Sequence, residues 1–191
     1  MSRRSAIRLS PSEQGDLLTA ERVLIVTSIG PRGWPHSMPM WFVARDPATV
    51  AAQGLEPLAE RRADPGTEAS LGERDAHESA AGRELWIWTY GKSQKVRNLE
   101  RDPRVTLLCE TGREYQELRG IQIEAEAEII TDPELILGFG KELTLRYADG
   151  LDEISSEAEQ ALAAQAQKRV AIRFGERRVA SWDHRKLAGG Y

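Results

Sequence analysis

The sequence predicts a mainly β protein of the α+β class, a small barrel of about seven antiparallel strands with a few flanking helices. Short runs rich in Val, Ile, Leu, Thr and Trp recur along the chain, separated by Gly, Pro and Asp turns. Residues 118–130 alternate apolar or small residues with polar ones, which indicates a strand with one buried face. The 191 residues are 40% hydrophobic, which is enough for one sizeable core.

The first elements are predicted to be a helix and a hairpin. Ser10 and Glu13 form a capping box with proline at the first helical position, which predicts a helix through about residue 21. Residues 22–29 are rich in Val, Ile, Leu and Thr, and the Gly-Pro-Arg-Gly sequence that follows is typical of a turn. A second strand near residues 36–44 would complete the antiparallel hairpin.

Residues 47–83 differ in composition from the rest of the chain. They contain no aromatic residue and are rich in Ala, Glu, Arg and Gly. We interpret them as a mobile or loosely helical insertion in a single domain that spans residues 1–191. A second small domain is the alternative, but the segment has few large apolar residues from which to build a core.

Five further strands and three helices are predicted after this segment. Ser93 can cap a helix that stops at Asp102 and Pro103, and Asp132 with Pro133 begins a longer one. A third helical stretch runs from about residue 156 to residue 168. The strands are predicted at residues 84–89, 104–109, 118–130, 170–174 and 178–182.

The stretch from Thr89 to Leu99 places hydroxyl, amide and ammonium donors where a strand runs into a helix. The start of a helix offers unpaired backbone N–H groups and a partial positive charge, and Lys92 and Lys95 add full charges nearby. From the residues alone, this stretch is either a phosphate site or a solvated basic helix face.

Composition excludes several classes of function. The net charge of −4 argues against a nucleic-acid partner, and no apolar run approaches the length of a membrane span, so we expect a cytoplasmic protein without a membrane partner. The single cysteine, Cys109, lies in an apolar run and is interpreted as a buried, inert thiol. We find no spacing typical of a metal site and no pattern that identifies a catalytic residue.

Several segments, in this order, resemble the split β-barrel flavin and deazaflavin oxidoreductases, which include the pyridoxamine 5′-phosphate oxidase-like proteins. The resemblance covers nearly the whole chain outside residues 47–83 and implies a split β-barrel. It also favours the phosphate site over the solvated helix face. The segments are Gly33-Trp-Pro, Pro39-Met-Trp-Phe, residues 89–99, Arg101-Asp-Pro-Arg-Val, residues 118–124 and residues 181–187.

The resemblance implies that Thr89, Ser93 and Lys95 hold the cofactor phosphate. We expect Lys95 to be exposed in the empty protein. Main-chain groups of four consecutive residues would line the edge of the cofactor ring, namely Met38, Pro39, Met40 and Trp41.

Two further residues complete the set of cofactor-binding candidates, Gln94 and Trp182. Met38 and Gln94 stand where oxidases of pyridoxamine phosphate carry arginine, so two charge-assisted contacts are missing and that activity is not expected. Trp182 either stacks on a planar ring or packs in the core or at a dimer seam.

The branch that the sequence resembles most is that of the coenzyme F420-dependent reductases, some of which bind a flavin instead. The resemblance therefore implies an oxidoreductase that uses F420 or FMN to transfer hydride to or from a small organic substrate. It also implies a homodimer with cofactor sites at the interface. The alternative is a non-catalytic flavin- or deazaflavin-binding carrier, because both functions need the same phosphate site.

Overall fold

The structure, a computed structural model, describes residues 3–58 and 83–187 of the chain. Its helices are α1 (Arg3–Ala6), α2 (Pro11–Ala20), α3 (Pro47–Ala52), α4 (Gln94–Arg101), α5 (Pro133–Tyr147) and α6 (Ser156–Ala166). Its strands are β1 (Leu24–Ile29), β2 (Pro35–Met40), β3 (Phe42–Arg45), β4 (Glu84–Tyr90), β5 (Arg104–Thr111), β6 (Arg119–Ile130) and β7 (Arg169–Asp183). Two short 3-10 helices occupy Tyr115–Glu117 and His184–Lys186.

The seven strands form one antiparallel sheet in the order β2-β1-β5-β6-β7-β4-β3. β2 and β3 are therefore the two opposite edges of the sheet, yet only Trp41 separates them along the chain. Because a single residue joins the two edges, the sheet must curl until they meet at that point. The result is a split barrel, and the predicted fold class is confirmed.

The predicted strand at residues 36–44 is wrong as a single strand. Met40 pairs with Leu24 of β1, whereas Phe42 pairs with Ile87 of β4, so the chain leaves one edge and joins the other at Trp41. Both halves are extended, and for this reason their apolar pattern does not reveal that they pair with different neighbours.

The predicted strands at residues 170–174 and 178–182 are one continuous strand, β7. The Gly175-Glu-Arg sequence that favours a turn instead stays extended. The pairing of β7 with β6 shifts its register between Glu124 and Ala125 of β6, which is the local change that a β-bulge produces.

Two groups of buried side chains pack on the two faces of the sheet. β4 supplies both by alternation: Leu85 and Ile87 belong to the group inside the barrel, and Trp86 belongs to the group under α5 and α6. The Trp86 ring packs against Phe139 of α5, with ring centroids 5.7 Å apart. Cys109 lies fully buried in the first group, and burial raises the pKa of its thiol to about 12, so the prediction of a buried thiol is confirmed.

The predicted helices begin where their capping residues indicate. The capping box of α2 is complete: the backbone N–H of Ser10 donates to the Glu13 carboxylate at 2.7 Å, and that of Glu13 donates to Ser10 Oγ at 3.3 Å. Within residues 3–58 and 83–187, no helix combines the length and apolar character needed to cross a bilayer.

The first part of the predicted insertion is packed against the sheet. α3 occupies its start, and Val50 of this helix is fully buried. Arg173 Nη1 of β7 donates to the carbonyl of Glu56 at 2.9 Å, which fastens the segment that follows α3. Residues 59–82, the remainder of the predicted insertion before Arg83, lie outside the described residues.

Candidate functional site

The residues predicted to hold a phosphate lie where β4 ends and α4 begins. Ser93 is the N-cap of α4, and its hydroxyl accepts from the backbone N–H of Val96 at 3.4 Å. Lys95 Nζ donates to Thr89 Oγ1 at 2.9 Å. The turn between β4 and α4 thus folds the Lys95 side chain back onto Thr89, and two of the three predicted phosphate ligands are in direct contact.

Lys95 is buried, with 4% of its surface exposed, so the expectation of an exposed side chain is wrong. The reason is its position in α4, where its neighbours Val96 and Leu99 pack into the core of the barrel. Burial lowers the pKa of the Lys95 ammonium from 10.5 to about 8. At neutral pH the side chain is still a cation.

The Lys95 ammonium has no carboxylate partner among the described residues, and its one hydrogen bond is to Thr89. A buried charge without a counter-ion is costly, and sites of this kind are candidates for binding an ion of opposite sign. An ammonium group carries three donors, so two are available for an anion. The first backbone N–H groups of α4 add a partial positive charge at the same place.

α4 is fixed to the neighbouring strand by its polar side chains. Asn98 is fully buried, and its Nδ2 donates to Ser28 Oγ of β1 at 3.1 Å. Gln94 Nε2 donates to Asn98 Oδ1 at 2.8 Å, and Arg101 donates to the carbonyl of Ile29. These contacts hold the helix, and with it Lys95, in one position. They also engage the amide of Gln94, one of the predicted cofactor ligands.

The segment predicted to line the ring lies beside this cradle of Thr89 and Lys95. Phe42 of β3 pairs with Ile87 of β4, and the two strands are antiparallel. Thr89, two residues after Ile87, is therefore displaced from Phe42 toward the side on which Trp41 and Met40 precede it. Met40 and Trp41 therefore pass within about 10 Å of Thr89, at roughly 3.3 Å per residue of strand. The structure brings the two halves of the predicted site together.

The side chains of this segment point to different surroundings. Trp41 is 57% exposed and stacks on Tyr147 of α5, with ring centroids 4.5 Å apart and an interplanar angle of 13°. Met40 packs instead against the barrel core, and Met38 is exposed. The indole of Trp41 thus lies with α5, whereas the Thr89 hydroxyl lies with Lys95 of α4.

Trp182 is far from the cradle of its own chain. Val170 pairs with Thr89, and Trp182 follows twelve residues later on β7, which is about 40 Å of strand. Its ring covers Gly120 of β6 so closely that a Cβ atom at Gly120 would overlap it. Trp182 therefore does not belong to the cradle of Thr89 and Lys95 by strand pairing, because β7 brings Val170 and not Trp182 beside Thr89.

Tyr147, at the end of α5, is a residue that the sequence analysis missed. Its hydroxyl accepts from the backbone N–H of Phe42 at 3.0 Å, and its oxygen also lies 3.0 Å from the Phe42 carbonyl and 2.8 Å from the carbonyl of Arg22. Nothing in the apolar pattern of α5 distinguishes this tyrosine, because its role depends on contacts with residues more than 100 positions away in sequence.

The arrangement has the chemical groups that can bind an anion. It combines a buried ammonium, a hydroxyl and the start of a helix next to a stretch of exposed backbone at the barrel split. Within the described parts of the chain, no group of three His, Cys, Asp or Glu side chains is placed to hold a metal ion.

Comparison with known proteins agrees with this architecture. The pyridoxamine 5′-phosphate oxidase family matches residues 10–182. The conserved hypothetical protein Rv2991 from Mycobacterium tuberculosis is 31% identical, with 100% of this chain and 95% of that chain covered and a TM-score of 0.73. No curated protein matches significantly.

Two more distant structures share the fold. An F420 reductase is 19% identical, with 86% of this chain and 93% of that chain covered and a TM-score of 0.52. An FAD-binding protein from Mesorhizobium loti is 14% identical, with 91% and 94% covered and a TM-score of 0.53.

Proposed function

The chain belongs to the pyridoxamine 5′-phosphate oxidase family, and on this basis we propose that it is an oxidoreductase that uses bound F420 or FMN. The cofactor would transfer hydride to or from a small organic substrate. The observation that carries the proposal is the buried Lys95 ammonium beside Thr89, which has no carboxylate partner among the described residues. FMN carries a phosphate and F420 a phosphodiester, and either anion would pair with the Lys95 ammonium.

In this mechanism the cofactor supplies the hydride chemistry, and the residues of the chain bind and orient it. Lys95 and Thr89 would hold the phosphate through charge-assisted and neutral hydrogen bonds. The backbone of residues 38–41, which forms the end of β2 and its junction with β3, would line the ring edge. The packed barrel core behind the cradle would exclude water from one side of the site.

We expect no activity on pyridoxamine 5′-phosphate. Met38 and Gln94 replace two arginines, and Gln94 is already paired with Asn98 at 2.8 Å. The F420 reductase and the FAD-binding protein, which share the fold, support a cofactor of the flavin type and leave the choice between F420 and FMN to experiment.

The same cradle serves a non-catalytic carrier equally well, and turnover separates the two. The purified protein is loaded with reduced cofactor and mixed with a panel of small organic acceptors. An oxidoreductase oxidises the bound cofactor faster than the same cofactor reacts free in solution. Slower oxidation of the bound form with every acceptor would favour the carrier.

The pH dependence of binding is expected to follow Lys95. Because the protonated ammonium is the form that attracts phosphate, affinity should be constant just below pH 8 and fall above it, by up to tenfold per pH unit. The pKa near 8 belongs to the empty protein, and a bound phosphate raises it, so the fall ends at the pKa of the complex. Fluorescence titrations from pH 6.5 to 9.5 at constant ionic strength measure this. A flat profile would exclude Lys95 as the phosphate ligand.

We also propose a homodimer with the cofactor sites at its interface. The β1–β2 hairpin and the junction that follows it expose large apolar side chains, namely Ile29, Trp34, Met38 and Trp41. Met38 pairs with the core residue Val26 and shares its face of the hairpin, whereas Ile29 lies on the opposite face. The concentration of exposed apolar side chains in this one hairpin favours an interaction site. Strand pairing does not bring Trp182 beside the cradle of its own chain, so in the dimer Trp182 of a second copy would be available to contact the cofactor.

Replacing Trp34, which is 74% exposed, with glutamate is expected to dissociate the dimer and weaken cofactor binding at least tenfold. Light scattering and fluorescence titration report the two effects. Leu151→Glu is the matched control, since Leu151 is 39% exposed in the loop after α5, and it should change neither. A wild-type monomer that binds cofactor tightly would contradict the dimer proposal.

A further inference from the structure

We infer that Tyr147 is a positioning residue, whose hydroxyl sets the backbone at the β2–β3 junction that would line the cofactor ring. The inference rests on the proposed function and assigns this role to a residue of α5, outside the strands of the site. Its basis is the set of contacts that one hydroxyl makes at the place where the barrel splits.

The backbone of Phe42 needs an outside partner at this point. Phe42 is the first residue of β3, which is an edge strand with β4 on one side only. Its N–H and its carbonyl are both 3.0 Å from the Tyr147 hydroxyl, and the residue is fully buried. Without this hydroxyl, two buried backbone groups would lose their partner, which a protein rarely tolerates.

The same hydroxyl connects the junction to the start of β1. It lies 2.8 Å from the carbonyl of Arg22, two residues before β1 begins. A single O–H donates one proton at a time, so it is shared between the carbonyls of Arg22 and Phe42 while its oxygen accepts from the Phe42 N–H. Tyr147 therefore ties together the two sides of the split.

The ring of Tyr147 fixes the one residue between β2 and β3. Trp41 stacks on it at 4.5 Å, and the guanidinium groups of Arg22 and Arg146 each lie 5.7 Å from the centroid of the Tyr147 ring. Trp41 is held by this stack on one face and is otherwise largely exposed. The hydroxyl and the ring thus restrain Phe42 and Trp41, whose chain passes beside Thr89.

This position predicts an effect on the ring part of the ligand and none on its phosphate part. Two matched ligand pairs separate the parts: FMN with riboflavin, and F420 with its chromophore lacking the phosphate-bearing side chain. Tyr147→Phe keeps the aromatic stack and removes the hydroxyl. We expect it to weaken both members of the pair that binds by at least fivefold and to leave their affinity ratio unchanged within twofold.

The absorption spectrum of the bound ring provides a readout that stability alone would not move. In Tyr147→Phe it should shift toward the spectrum of the free cofactor in water. The control is Ile123→Val, a substitution of a buried residue in β6 that lowers the stability slightly and does not involve the β2–β3 junction. It should lower the melting temperature and leave affinity and spectrum as in the wild type.

The outcomes are distinguishable. If Tyr147→Phe lowers only the melting temperature, with affinities within twofold of the wild type and an unchanged spectrum, Tyr147 is structural and the inference is overturned. If the wild type binds neither pair, the proposed function is overturned and the inference with it. If the ratio within the pair changes but the spectrum does not, the hydroxyl acts on the phosphate cradle, and the assignment to the ring is wrong.

Discussion

Replacing Lys95 with methionine is expected to weaken FMN or F420 binding by roughly 10- to 150-fold while making the empty protein more stable. The loss of affinity follows from a charged hydrogen bond to phosphate, which contributes on the order of 1.5–3 kcal/mol. The gain in stability follows from removal of a buried ammonium that has no carboxylate partner among the described residues. Fluorescence titration and thermal unfolding measure the two quantities.

The size and sign of the stability change come from the pKa of Lys95. Burial lowers this pKa from 10.5 to about 8, which corresponds to roughly 3 kcal/mol of unfavourable free energy for the charged form. The penalty is fully present below pH 8 and is relieved as the pH rises toward 10.5, because the folded state loses its proton first. Lys95→Met should therefore raise the melting temperature by roughly 6–12 °C at pH 7 and by less at pH 10.

Lys92→Met is the matched control for this experiment. Lys92 lies in the turn just before α4 and is exposed, so its replacement should change affinity by less than about threefold and leave stability within about 0.5 kcal/mol. A Lys95→Met protein that is less stable and still binds cofactor with wild-type affinity would show that the lysine is structural.

Replacing Arg173 with methionine is expected to cost about 3–5 kcal/mol of stability, the largest effect of the substitutions considered. The side chain of Arg173 is fully buried in β7, with Nη2 2.9 Å from Glu128 and Nη1 3.5 Å from Glu84. Glu84 is also buried and accepts from Trp86 Nε1 at 3.2 Å. Removing the guanidinium leaves the buried Glu84 carboxylate without a paired cation among the residues that the structure describes, and a melting temperature lower by roughly 10 °C should result.

Two variants test this interpretation. Arg178→Met removes an arginine from the same strand, but Arg178 is 53% exposed and 3.7 Å from Glu124, so we expect a change below about 0.5 kcal/mol. Glu84→Gln in the Arg173→Met background removes the stranded charge and should recover part of the loss. Equal effects of the Arg173 and Arg178 substitutions would contradict the importance of the buried pair.

The sequence predicts the strands well because local patterns determine them, and it predicts their pairing less well. About seven strands are expected and seven are found in residues 3–58 and 83–187, but the agreement in number hides two errors that cancel. One predicted strand is divided at Trp41, and two predicted strands are joined through Gly175. Whether a strand is divided or joined to the next one depends on its pairing with strands distant in sequence. The alternation of apolar and polar residues within one segment carries no information about these partners.

The predicted site divides in a similar way. Thr89 and Lys95 lie six residues apart on a strand and a helix joined by one turn, so local structure brings them together as expected. The burial of Lys95 depends on how α4 packs on the barrel, which the spacing does not give. The positions of Trp182 and Tyr147 depend on tertiary contacts. The sequence therefore groups Trp182 with a cradle to which strand pairing does not bring it, and it does not single out Tyr147.

The most direct test of the account is the contribution of the phosphate to binding in the wild-type protein. FMN and riboflavin, or F420 and its chromophore without the phosphate-bearing side chain, are titrated at pH 7 into wild-type protein and into Lys95→Met. We predict that the phosphorylated ligand binds the wild type at least tenfold more tightly than its partner and that Lys95→Met removes most of this difference. Equal affinity of the two ligands for the wild type, or binding of neither pair, would contradict the assignment of the cradle as the phosphate site of a flavin or deazaflavin cofactor.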